Sequence, residues 1–175
     1  MHTGWTPLID RVQARKMKMS LRRWLAQSRP QSLLSIPFIY AMIIPLLLLD
    51  LSVTLYQATC FPLYGIAKAR RRDYIAIDRH RLPYLNAIEK FHCLYCSYGS
   101  GLLAYAREIT ARTEQYWCPI KHARPLADAH ARTARFLEYG DPTAFHARSE
   151  QLRRELAPGE AAEPTTPAIP SPRHP

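Results

Sequence analysis

An apolar run from Leu33 to Ala67 constrains this chain more than any other feature. Its 35 residues contain one charged side chain, Asp50, and no Lys, Arg or Glu. An apolar helix of about 20 residues is long enough to cross the hydrocarbon core of a bilayer, and helices of soluble proteins rarely extend so far without a polar face. The run therefore predicts a membrane-embedded helix. The alternative is a core helix of a soluble protein.

Two arrangements of this run in a membrane remain open. A straight helix of this length would measure about 52 Å against a hydrocarbon core of about 30 Å. Prolines remove backbone donors and favour kinks, and the run contains three of them, Pro37, Pro45 and Pro62. Either one kinked helix spans from about Ile36 to about Tyr56, with residues 57–67 along the interface, or the segment is re-entrant and returns to the side it entered. We favour the single span, because residues 41–56 lack the Gly- or Asn-rich turn of a tight hairpin.

Basic residues flank the apolar run on both sides and account for much of the net charge of +10. Such flanks attract anionic lipid headgroups, by about 1 kcal/mol per residue, and they favour ends that lie on the same, cytoplasmic side. They would also suit nucleic acid, but their position beside the apolar run makes lipid the better partner. The basic residues are Arg22, Arg23 and Arg29 before the run and Lys68, Arg70, Arg71 and Arg72 after it, and Trp24 completes a predicted interfacial anchor with Arg22 and Arg23.

Asp50 stands near the centre of the apolar run. A carboxylate at the bilayer centre costs about 2.5–3.5 kcal/mol on insertion scales. Two interpretations of this residue are open. Asp50 is either a functional or pairing residue in an oligomer, or a side chain near a kink with access to water.

The sequence predicts a mainly α-helical protein with a small cytoplasmic domain after the membrane segment. Asp78 is a candidate N-cap for a helix that reaches Phe91, and residues 97–101 have the composition of a turn. Further helices are predicted over residues 102–116, over 126–139 before Gly140, and from Asp141-Pro142 to about Leu156. The two late helices are poor in large apolar residues and are predicted to be peripheral. The division is a basic N-terminal segment (1–32), a membrane segment (33–67), a Cys/His domain (68–125), peripheral helices (126–157) and a disordered Pro-rich tail (158–175).

Cysteine and histidine form a possible metal-binding pattern, C-x2-C-x21-C-x3-H, made by Cys93, Cys96, Cys118 and His122. Structural zinc sites favour such closed Cys3His sets. The chain would have to fold back near residues 97–101 and again near residue 117 for the two pairs to meet. An iron–sulfur cluster with one His ligand, a redox thiol pair and ordinary buried cysteines are the alternatives. Three cysteines after the apolar run do not suit a disulfide framework and indicate a reducing compartment.

Five short motifs stand out in the chain after the apolar run: Asp78-Arg79-His80, Leu85-Asn86, Glu89-Lys90, Cys93-x-Tyr95-Cys96 and residues 112–123, RTEQYWCPIKHA. Together they resemble a family of small, uncharacterised bacterial membrane-associated proteins. The resemblance covers about residues 35–124 and implies a bacterial inner-membrane setting, with no activity or substrate attached to it. Where the family pattern often has Asn, this chain has His92.

These observations favour a membrane-anchored protein with a structural zinc site that acts as an interaction or adaptor module. A protein partner or a homo-oligomer would fit that role. A redox or metal-dependent enzyme or electron carrier that uses the same cluster is the alternative, and a nucleic-acid-binding protein is the second. The sequence contains no Gly-rich phosphate loop and no nucleophile elbow, and it identifies no reaction.

Overall fold

The computed structural model describes residues 30–159, and this part of the chain is mainly α-helical, as the sequence predicts. It contains no β-strand within those bounds, only an isolated parallel bridge between Ile120 and Leu137. The predictions for the basic N-terminal residues, including Arg22, Arg23, Trp24 and Arg29, and for the tail beyond Gly159 lie outside the described residues. The four α-helices of residues 30–159 are α1 (Pro30–Ala41), α2 (Ile43–Leu63), α3 (Ala87–Trp117) and α4 (Pro142–Arg154), and three short 3₁₀ turns in the same range cover Arg71–Asp73, Arg79–Arg81 and Ala131–Arg135.

Helices α1 and α2 form one apolar stretch that is interrupted only at Met42. Pro45 explains the interruption, because it lacks the N–H that would bond to the carbonyl of residue 41. The helical pattern resumes where the Leu46 N–H donates to the Met42 carbonyl at 3.2 Å. Helix α2 ends at Leu63, and the turn after it contains Gly65, whose φ of +68° is the left-handed conformation common just after a helix C-terminus. Within the described chain, Leu34–Leu63 is the one helical stretch long and apolar enough to cross a membrane.

Helix α3 is a single helix of 31 residues, about 46 Å long. A capping box begins it, in which Asn86 Oδ1 accepts from the Glu89 N–H at 2.9 Å and Glu89 Oε2 accepts from the Asn86 N–H at 2.8 Å. The predicted N-cap at Asp78 is wrong, since this residue precedes only a 3₁₀ turn and makes no side-chain capping bond. The predicted turn at residues 97–101 is also wrong, because both glycines there remain helical.

The C-terminal helices follow the sequence prediction in part. Asp141 caps α4 by accepting from the Ala144 N–H at 2.9 Å, with Pro142 in the first turn, as predicted. The helix expected over residues 126–139 is wrong, since only the 3₁₀ turn Ala131–Arg135 forms there. Residues 126–157, which the sequence predicts to be peripheral, contain four apolar side chains that are at most 4% exposed: Phe136, Leu137, Leu152 and Leu156. This part of the chain is therefore not peripheral.

The chain divides into two compact units, which we describe separately. Within the described residues, unit one comprises residues 30–49 and 71–103, and unit two comprises residues 50–70 and 104–159. In unit one the Tyr40 ring packs on Phe91 and Tyr95, with centroids 5.3 and 5.6 Å apart, and the Tyr95 hydroxyl donates to the Ile39 carbonyl at 2.7 Å. The core of unit two consists mainly of Phe61, Ile66, Ile109, Phe136, Leu152 and Leu156.

Candidate functional site

The predicted zinc ligands do not come together. Cys93 and Cys96 lie in the first third of α3, whereas Cys118 directly follows its last residue and His122 is four residues further on. Among residues 30–159 no group of three or more His, Cys, Asp or Glu side chains is placed to hold a metal ion. The prediction of a Cys3His zinc site is therefore wrong, and the enzyme or electron carrier built on the same cluster loses its basis.

The continuity of α3 is the physical reason for this correction. A zinc site needs its ligand atoms about 2 Å from one ion, and the sequence prediction placed a turn between the two ligand pairs to allow this. A helix rises about 1.5 Å per residue, so the 25 positions from Cys93 to Cys118 extend about 37 Å along its axis. All four cysteines, including Cys60 in α2, are free thiols. His122 is exposed and has a carboxylate as its neighbour, with Nε2 4.0 Å from Glu114 Oε1.

A large exposed apolar surface is the most unusual feature of the described chain. Large apolar side chains that are at least 45% exposed follow one another along α1 and α2. No residue in the most apolar 18-residue segment of this stretch is buried. Scattered exposed apolar residues are ordinary, but a contiguous patch marks a partner or a membrane. This apolar surface consists of Leu34, Phe38, Ile39, Met42, Ile44, Leu47, Leu48, Leu51, Leu55 and Leu63.

On α2 the apolar surface has the periodicity of one helix face. Ile44, Leu48, Leu51 and Leu55 follow one another at intervals of three and four residues, which places them on the same side of an α-helix. In unit two, the other side of the helix carries the side chains that the protein buries, Gln57 at 6% and Phe61 at 0% exposure. Helix α2 therefore presents one face to its own protein and one to its surroundings.

The side-chain amide of Gln57 fixes a non-helical segment beside α2. Gln57 Oε1 accepts from the Ala69 N–H at 2.7 Å, while its Nε2 donates to the Ala69 carbonyl at 3.3 Å and to the Tyr105 hydroxyl at 2.8 Å. Nearby, the Ala67 N–H donates to the Leu156 carbonyl at 2.7 Å, and the Ala67 carbonyl accepts from Arg112 Nη1 at 2.5 Å. Sequence analysis missed this role, although Gln57 is the one side-chain amide in the apolar run.

Residues 68–81, which we call the basic loop, include Ala69, the backbone partner of Gln57. Apart from two short 3₁₀ turns the loop has no regular structure. Its six basic and two acidic side chains give it a formal charge of +4, and all of them are exposed. The basic side chains are Lys68, Arg70, Arg71, Arg72, Arg79 and Arg81. The protein therefore has a positively charged surface in addition to the apolar surface.

A buried ionic network holds α3 to the segment before α4 in unit two. Glu108 Oε1 accepts from Arg112 Nε at 2.8 Å and from Arg132 Nη2 at 2.7 Å. Arg132 also donates to Gln115 Oε1 at 2.9 Å, and Gln115 Nε2 donates to the Leu152 carbonyl at 2.8 Å. Burial alone would raise the pKa of Glu108, but the hydrogen bonds and positive charges of Arg132 and Arg112 outweigh it and hold that pKa below its ordinary value. Glu108, Arg112 and Arg132 each have a partner in this network, and we assign the network a role in stabilising the fold.

A shallow groove of about 380 Å³ lies in unit two between α2 and α3. Its lining is mostly apolar with a few hydroxyl groups, and the Tyr56 and Thr113 hydroxyls are 3.1 Å apart. The lining contains no carboxylate, imidazole, thiol or amine, so it lacks an acid–base pair for catalysis. The lining residues are Ser52, Val53, Tyr56, Ile109, Thr110 and Thr113.

Comparison with protein-family models, with curated proteins and with solved structures finds no match to this chain. The candidate site is therefore defined by its own chemistry. That chemistry consists of an apolar surface along α1 and α2 and a basic loop whose first residues are held beside α2 by Gln57. The resemblance to small bacterial membrane-associated proteins stays a prediction.

Proposed function

We propose that the protein is a membrane-anchored helical protein that holds unit two at the cytoplasmic face of a bacterial inner membrane. The exposed apolar surface of α1 and α2 is the observation that carries the proposal. In water, apolar area costs about 25 cal/mol per Å², so ten large side chains that are each at least 45% exposed are unfavourable without an apolar environment. The bacterial and cytoplasmic assignments come from the sequence resemblance and the basic flanks.

The basic loop supports anionic lipid as the partner. Lys and Arg side chains close to a bilayer gain about 1 kcal/mol each from anionic headgroups. A loop of formal charge +4 on the same chain as the apolar surface supplies that attraction. The alternative of a soluble protein with a core helix requires the apolar side chains to be buried, and the protein's own described residues leave them exposed.

Liposome flotation of the full chain tests this proposal. We expect the protein to float with vesicles that contain about a third anionic lipid, to bind neutral vesicles less well, and to resist alkaline extraction from bacterial membranes. The double variant Leu48→Glu/Leu51→Glu should lose most of the bound fraction, because it puts two carboxylates on the apolar face.

The matched control is Ala147→Glu/Gln151→Glu, which adds the same charge at exposed positions of α4. It should float like the wild type. A wild-type chain that stays with the soluble fraction in both assays would refute the proposed function.

A further inference from the structure

We infer that α1 and α2 lie in the plane of the membrane on one leaflet and do not cross it. This inference rests on the proposed function and specifies its geometry. It differs from the single span that the sequence favours, and it comes from the path of the non-helical chain in each unit.

In unit two, the chain turns back immediately after α2. Ala69 bonds to Gln57, although Gln57 is the seventh residue from the end of α2 at Leu63. The chain has therefore returned past the last six residues of the helix, about 9 Å. It does so in a non-helical conformation, with the exposed Lys68 and Arg70 on either side of Ala69.

In unit one, the same connection lies against α3. A Cβ on Gly101 would be 2.7 Å from the Tyr74 carbonyl oxygen and 2.9 Å from Ile75 Cα, so the loop backbone touches the helix there. Phe91 in the second turn of α3 packs on Tyr40, with ring centroids 5.3 Å apart. Within unit one, helix α3 therefore starts beside the end of α1, and the connection that follows α2 leads into this start.

A return path of this kind conflicts with a crossing helix. The connection between α2 and α3 contains the whole basic loop, with two 3₁₀ turns as its only helical structure. In the hydrocarbon core, backbone groups without internal hydrogen bonds cost several kcal/mol each, and each Arg or Lys adds at least about 2.5 kcal/mol. A connection of this composition does not pass through the core of a bilayer.

An in-plane position removes the conflict. The face with Ile44, Leu48, Leu51 and Leu55 enters the acyl boundary, as in interfacial helices whose apolar face is buried by about 5–10 Å. The basic loop stays in water and meets anionic headgroups. Both ends of the apolar run then lie on one side, which agrees with the basic residues that flank it at each end. A total length greater than the thickness of the hydrocarbon core carries no penalty in this geometry.

Depth measurements on the full chain test the inference. In a background without cysteine, single cysteines replace Leu34, Leu48 and Leu63, which are 75%, 60% and 77% exposed. Each is labelled with an environment-sensitive fluorophore and bound to vesicles with a third anionic lipid that carry bromine at different acyl positions. We expect all three probes to lie at similar shallow depths, about 5–10 Å below the headgroups.

The alternative outcomes separate the two proposals. A probe at Leu48 that lies near the bilayer centre, about 15 Å deep, with the other two near opposite surfaces, would overturn the in-plane inference and leave the membrane anchor intact. Failure of all three probes to be quenched would overturn the anchor itself. Should removal of the four cysteines reduce the helical circular dichroism signal, single Trp substitutions at the same three positions give the depths, in a background where Trp5, Trp24 and Trp117 are Phe.

Discussion

Replacing Gly101 by Ala tests the contact between α3 and the connection that precedes it. The new Cβ would be 2.7 Å from the Tyr74 carbonyl oxygen and 2.9 Å from Ile75 Cα. Both are backbone atoms, which cannot rotate away as the end of a side chain can, so the segment itself must move. Overpacking of this kind costs about 1–3 kcal/mol. Against this, Ala is better than Gly inside a helix by about 1 kcal/mol.

Gly99→Ala is the matched control, because it lies two residues away in the same helix. Its Cβ would meet only Leu46 Cδ1 at 3.4 Å, an ordinary contact with the end of a side chain. Since the helix-propensity gain is the same in both variants, the difference between them isolates the backbone clash. We expect Gly101→Ala to be about 1–3 kcal/mol less stable than Gly99→Ala.

The measurement is urea unfolding of the full chain in the presence of vesicles with a third anionic lipid, followed by circular dichroism at 222 nm. The two variants are compared when the unfolding free energy depends on urea concentration with the same slope in both. A difference between their midpoint urea concentrations then reports a difference in stability. Equal stability of the two variants would refute the close approach of residues 74–75 to the helix. It would also remove the unit-one support for the in-plane inference.

Three further predictions concern polar groups. Gln57→Leu should destabilise the protein by about 1–3 kcal/mol in urea unfolding, since it leaves the buried Ala69 N–H without its partner, whereas Gln57→Glu should not restore stability because it lacks the amide donor. For Glu108, whose folded pKa is lowered, the ionic contribution to stability is present above the unfolded pKa and is lost as the pH falls through the folded pKa. Below about pH 4.5 the melting temperature should therefore fall more steeply with decreasing pH for the wild type than for Glu108→Gln. An equal fall in melting temperature for both proteins would contradict the network. Asn86→Ala should lower stability by about 1 kcal/mol and increase amide hydrogen exchange in the first turn of α3, an effect that Asn86→Asp should largely avoid.

Local signals predict the parts of the fold that depend on neighbouring residues. Asp141-Pro142 starts α4 as its sequence indicates, because a cap and its helix are formed by residues three positions apart. The apolar run similarly predicts α1 and α2, and Pro45 accounts for the interruption between them. The membrane setting stays a proposal that the composition of this run supports.

Non-local packing explains what sequence analysis missed. Gly99 and Gly101 look like a turn in sequence, but in α3 they give the helix a smooth side against Leu46 and against residues 74–75. Cys93, Cys96 and Cys118 match a metal-binding spacing only if that turn exists, so one wrong prediction produced the other. Gln57 gave a signal that could have been used, because an isolated amide in an apolar run is costly unless it bonds to a specific partner.

The amide contact of Gln57 has a consequence for biosynthesis. Its partner Tyr105 is 48 positions later in the chain. At synthesis rates of about 5–20 residues per second, α2 therefore waits roughly 2–10 s before the helix that satisfies its amide has been made. In the membrane location that we propose, the lipid interface would shelter the apolar face during this interval, while the polar Gln57 stays towards water. The membrane would then act as a template for folding as well as an anchor for the finished protein.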